Sequence, residues 1–114
     1  MGVGDSANEQ RREKRKKVKI TVLLKMGLLL SGRGIAKDIS QHGMCLMSPQ
    51  IFKAMSSIQS KDFAGALLKV MIPTEALTIN GVVIWVDLKK GEGAIHITST
   101  SDDSRWQDIC RGAQ

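Results

Sequence analysis

The chain has no tyrosine and only two phenylalanines, two tryptophans, two prolines and two cysteines among its 114 residues. With so few rings, aliphatic side chains must fill most of any interior. The base-stacking platform that single-stranded nucleic-acid binders use is thin. Cys45 and Cys110 have neither Cys-x-x-Cys spacing nor a histidine set beside them, so no metal centre is indicated. They could form one disulfide, but buried small hydrophobes are the better reading. No apolar run reaches the roughly 18 residues of a membrane span, and no signal-peptide core follows the basic stretch. A soluble cytoplasmic protein is expected. No nucleophile, base and orienter set is visible, and no glycine-rich phosphate loop, so the chain reads as a non-enzyme without a cofactor.

What is present is enough for one domain. Hydrophobic residues make up 42% of the chain, and its length suits a single core rather than two. The formal charge is +6. Residues 1–20 hold seven Lys or Arg against three Asp or Glu, so +4 of that charge lies at one end and an anionic partner is expected there.

Residues 1–10 lack periodicity and read as a disordered leader. From Val18 the pattern alternates: Val18, Ile20, Val22 and Leu24 share one face of a half-buried strand, with Leu23 as the exception. Glycines at 27, 32 and 34 predict a hairpin or bulge, then a strand from about Gly34 to Ile39. A turn over Ser40 to Gly43 leads into a strand ending at Met47. Ser48-Pro49 can cap and start a short inserted helix carrying Ile51, Phe52, Met55 and Ile58 at helical spacing, followed by a loop to Gly65. Residues 66–72, 77–86 and 93–98 read as strands, with Trp85 as a core plug. His96 reads as a plain strand residue. From Ser99 on, Ser, Thr and two aspartates open a helix that puts Trp106, Ile109 and Cys110 on one face and stops at Gly112, closing one mouth of a barrel.

Two stretches carry the chemistry. Arg11-x-x-x-Arg15 presents two permanently charged forks suited to phosphate oxygens and to a purine. Asp38-x-Ser40-x-x-Gly43 supplies a carboxylate for a guanine N–H edge, a hydroxyl, and a glycine for a sharp turn or close approach. Gln10, Arg12 and Lys16 are auxiliary candidates, and His42 occupies a variable position of the turn. Taken singly, the basic run is also a solvated patch or a nonspecific nucleic-acid site, and the turn an ordinary Asp-initiated one.

Together and in this order, with 22 residues between Arg15 and Asp38, the two motifs resemble those of the PilZ family of bacterial cyclic di-GMP receptors. Val82-Val83-Ile84-Trp85 after Gly81, and the Gly91 to Ile97 strand, are similar to later family segments. The resemblance implies an all-β, six-stranded antiparallel β-barrel with a C-terminal α-helix, over residues 11–111, followed by a short tail at 112–114. It implies cyclic di-GMP as ligand, held by Arg11, Arg15, Asp38, Ser40 and Gly43, and a downstream protein partner. A nucleic-acid-binding small barrel and a PilZ-like scaffold without nucleotide are the alternatives.

Overall fold

The computed structural model describes residues 15–27, 30–53 and 65–112. Six strands, β1 (Lys16–Met26), β2 (Leu30–Ser40), β3 (Gly43–Met47), β4 (Leu67–Ile72), β5 (Leu77–Asp87) and β6 (Glu92–Thr100), close into a barrel in the order β1-β2-β3-β6-β5-β4. Every neighbouring pair is antiparallel. The alternation read in β1 holds, with Val22 and Leu24 fully buried and Leu23 turned to solvent. They meet Ile39, Leu46, Val70, Ile79 and Ile95 in one aliphatic core.

β2 starts earlier than its glycines foretell. Gly32 and Gly34 lie inside the strand, Gly32 beneath Gln50 of α1 (Pro49–Phe52) and Gly34 beneath Met47 and Ser48, which lead into it. A Cβ on Gly34 would stand 2.7 Å from the Met47 carbonyl oxygen and 2.9 Å from Ser48 Cβ, so the glycine there makes room rather than a turn. Ser48 is not a side-chain cap either. Its hydroxyl donates to the Arg33 carbonyl at 2.6 Å, and its own carbonyl accepts from Ile51 and Phe52. The described helix has four residues, with Ile51 and Phe52 both buried. Met55, Ile58 and most of the loop after them lie outside the described residues.

At the opposite end, α2 (Asp103–Gly112) is capped by Asp102, whose carboxylate accepts from the Arg105 amide. Trp106 enters the core from this helix, and its indole N–H donates to the Gln41 carbonyl at 3.0 Å. Ile109 and Cys110 pack beside it, as their helical spacing indicates.

Trp85 is the main departure from the sequence reading. It is 46% exposed, not a core plug. The β5–β6 register slips between Val83 and Trp85, so Ile84 and Trp85 both face outward. One extra residue reverses the alternation that would have carried Trp85 inside with Val83.

Phe52 plugs the barrel from α1, its ring against the bare backbone of Gly93. Phe52→Ala is expected to cost about 3 to 5 kcal/mol, read as a lower urea midpoint with an unchanged slope. A loss below about 1 kcal/mol would mean that α1 is dispensable for the core.

Candidate functional site

Four of the residues singled out in the sequence come together on the outer face of β1, β2 and β3. Arg15 stands just before β1, and its Nη1 donates to Asp38 Oδ1 at 2.5 Å. Its Nη2 lies 3.5 Å from where a Cβ on Gly43 would be, while Ser40 Oγ lies 3.3 Å from the same point. Gly43 does not adopt a left-handed backbone, so its value here is space: a methyl group would crowd the serine hydroxyl and come into contact with the guanidinium. Ser40 is buried beneath, its hydroxyl 3.5 Å from the Gly43 carbonyl oxygen.

Asp38 reaches this face because of a bulge. Between β2 and β3 the register shifts from Ala36–Leu46 to Asp38–Cys45, leaving Lys37 as an extra residue. Ala36 and Ile39 are therefore both buried, three positions apart, and Lys37 and Asp38 both look outward. Lys37 reaches across β3 to Glu92, with Nζ 2.7 Å from Oε2, and that carboxylate holds its ammonium above the ordinary lysine range. The Arg15 and Asp38 side chains are 52% and 27% exposed. Ion pairs this accessible contribute about 0 to 1 kcal/mol, so the contact orients the guanidinium without locking it away from an incoming anion.

The turn between Ser40 and Gly43 is fixed from outside. The Gln41 carbonyl accepts from Trp106, the His42 carbonyl accepts from the Ile97 amide at 2.8 Å, and the His42 ring stacks on His96 of β6 with centroids 6.4 Å apart. His96 therefore has a role in shaping the rim that its strand position alone does not reveal.

Registers across four strands place Asp38 opposite Cys45, Cys45 opposite Ala94, and Ala94 opposite Trp85. The row is floored by small side chains, flanked by the Lys37–Glu92 pair on one side and the His42–His96 stack on the other, and ends at the exposed indole. Its length is about three strand spacings, roughly 14 Å. Burial pushes the Cys45 thiol up from its usual range, and the Asp38 carboxylate adds to the shift. Trp85 is the member of this row that sequence reasoning misplaced, and only the bulge in its pairing with β6 reveals it.

Lys16 points elsewhere: its Nζ donates to the Arg111 carbonyl near the C-terminal end of α2, where helix carbonyls carry partial negative charge. Consecutive residues thus tie the start of β1 to the Asp38 site and to the last turn of α2. Gln10, Arg11 and Arg12 lie outside the described residues. Among the described residues no cluster of metal-binding side chains is present, and no helix is long and apolar enough to cross a membrane.

No curated protein sequence matches the chain at a significant level. Among solved structures, the PilZ domain of CeSA from a cellulose-synthesizing bacterium superposes with a TM-score of 0.64 at 16% identity, covering 88% of this chain and 97% of that one. The Bacillus subtilis inhibitor of motility MotI/DgrA gives 0.64 at 17% identity, covering 92% of this chain. The K. pneumonia MrkH–c-di-GMP complex gives 0.58 at 17% identity, covering 90%. This chain spans 51% and 50% of those last two proteins. At such identities the likeness is one of fold. The family profile for the PilZ domain, however, matches residues 9–109, nearly the whole chain, and on that match the chain belongs to the PilZ domain family.

Proposed function

We propose that this chain is a cyclic di-GMP receptor that binds the dinucleotide between its N-terminal arm and the Asp38–Gly43 turn, and passes the event to a protein partner. The observation that carries the reading is the convergence of Arg15, Asp38, Ser40 and Gly43 at one point of the outer face, in a member of the PilZ family. Arg15 supplies a fork for phosphate oxygens, and Arg11, one motif step earlier, a second. Asp38, released from Arg15, accepts from a guanine N–H edge. The small residues beyond it leave room for a flat ring, with the Trp85 face at the far end of the row. Because Lys16 joins the same stretch of chain to α2, a shift of Arg15 toward phosphate also pulls on the last turn of that helix. That gives a route from the ligand to the C-terminal helix.

Titration with cyclic di-GMP tests the site. Arg15→Ala and Asp38→Ala are each expected to weaken binding about tenfold to a hundredfold, the effect of losing a charge-assisted hydrogen bond of about 1.5 to 3 kcal/mol. Lys17→Ala removes the same charge as Arg15→Ala from the β1 residue opposite Asp38, outside the Arg-x-x-x-Arg motif, and its small effect should vanish at high salt. Equal losses for Arg15 and Lys17, with Asp38→Ala unchanged or tighter, would replace this site by a diffuse basic patch.

Cys45 reports the same site independently. Its raised pKa means less thiolate at a given pH, so alkylation by iodoacetamide should lag behind that of a free thiol and climb only at more alkaline pH. Asp38→Ala removes a carboxylate that disfavours the thiolate, so alkylation at fixed pH should speed up, and cyclic di-GMP should slow it in the unaltered protein. A rate indifferent to both the substitution and the nucleotide would place the ligand elsewhere.

A further inference from the structure

The seam that closes the barrel, between β1 and β4, is the shortest of its six pairings. Three rows form it: Leu23–Met71, Leu24–Val70 and Lys25–Lys69. In the last of these, two lysines stand directly opposite each other on the solvent side, an arrangement that destabilises an antiparallel pair. Neither β1 nor β4 contains a carboxylate, and among the described residues none pairs with Lys25 or Lys69. Lys19 and Arg33 add further positive charge on β1 and β2.

Beside the opposed lysines runs a groove of about 450 Å³, lined by Lys25, Leu67, Lys69, Asn80, Gly81 and Thr98 among others. Leu67 is 73% exposed at its edge, and Ile84, 52% exposed, follows along β5. On the outer face Leu67 lies opposite Val82, which lies opposite His96. The apolar strip therefore runs from the groove to the rim of the nucleotide site. Asn80 and Thr98 line the groove with polar groups whose donors are held within the barrel, Asn80 Nδ2 on the Ser99 hydroxyl and Thr98 Oγ1 on the Asn80 carbonyl.

We propose that this groove docks an acidic protein segment, with a carboxylate seated between Lys25 and Lys69 and an apolar side chain laid over Leu67. The proposal names the kind of partner that the receptor reading requires, and rests on that reading for its role in signalling, though not for the contact itself. Charge complementarity sets the occupant: one carboxylate relieves the repulsion across the seam while the apolar strip is covered. A single-stranded nucleic acid would ask for exposed rings. Among the described residues the groove has none, since Trp106 is buried and Trp85 lies beyond Ile84.

A labelled peptide of alternating glutamate and leucine, followed by fluorescence anisotropy on the full chain, tests this. The expected result is salt-sensitive binding that Lys25→Glu and Lys69→Glu each weaken about tenfold or more. Leu67→Ser should also weaken it, and Lys89→Glu, in the distant β5–β6 turn, should not. Lys25→Glu should in addition raise the melting temperature, because it turns a repelling row into an attracting one, and that gain shows that the variant is folded. No binding of the peptide, or equal effects at Lys25 and Lys89, overturns the proposal. So does tighter binding of oligothymidine through the same lysines. A dimer in sedimentation that Lys25→Glu abolishes would assign the groove to a second copy and overturn the proposal as well. Cyclic di-GMP titration of Lys25→Glu should match that of the unaltered protein, so a failed groove and a failed nucleotide site give separate signatures.

Discussion

One surplus residue in β2 governs the site. A strand alternates its side chains, and with Ala36 buried a regular β2 would send Asp38 into an aliphatic barrel. There its carboxylate would be desolvated, with no cation to meet it. The bulge at Lys37 resets the alternation, so Ile39 fills the core and Asp38 comes out beside Arg15. The same irregularity frees Lys37 to bridge β3 and reach Glu92, which walls the far side of Cys45. Fold and site are thus set by a single count of residues between two buried positions.

Around that point the structure divides into a fixed half and a yielding half. The turn of Ser40 to Gly43 has its carbonyls held by β6 and by the indole of α2, and those bonds tie it to the core. Arg15, by contrast, is joined to its surroundings through half-exposed contacts that solvent already weakens. A ligand that competes for Arg15 therefore rearranges the start of β1 before it disturbs the turn, and Lys16 links that start to the end of α2.

Much of this was legible in the sequence. The alternation of Val18, Ile20, Val22 and Leu24, the turn after Asp38, and the helical spacing of Trp106 and Ile109 each follow from one element's own periodicity. What the sequence hid depends on pairs of elements. A bulge is an excess relative to a neighbouring strand, so the outward turn of Trp85 could not be read from β5 alone. Gly32 and Gly34 looked like turn residues because nothing local reveals that Gln50 of α1 and the Met47–Ser48 segment leading into it will press on them. Ser48 looked like a cap, but its hydroxyl donates to the backbone carbonyl of Arg33 on the neighbouring strand instead. Leu67 and Lys69 looked like ordinary strand residues until the seam with β1 brought Lys25 across from them.

Closure of the barrel through β1 and β4 gives each strand of the sheet a neighbour on both sides for part of its length. Most of the sheet therefore offers no edge for strand addition or for the edge-to-edge stacking that leads open sheets to aggregate, and among the described residues the three-row seam confines what edge remains to β1 before Leu23 and the strand ends. Recognition over the rest of the surface is read by side chains on its faces. Affinity and specificity can therefore be retuned one residue at a time without redrawing the hydrogen-bond ladder beneath.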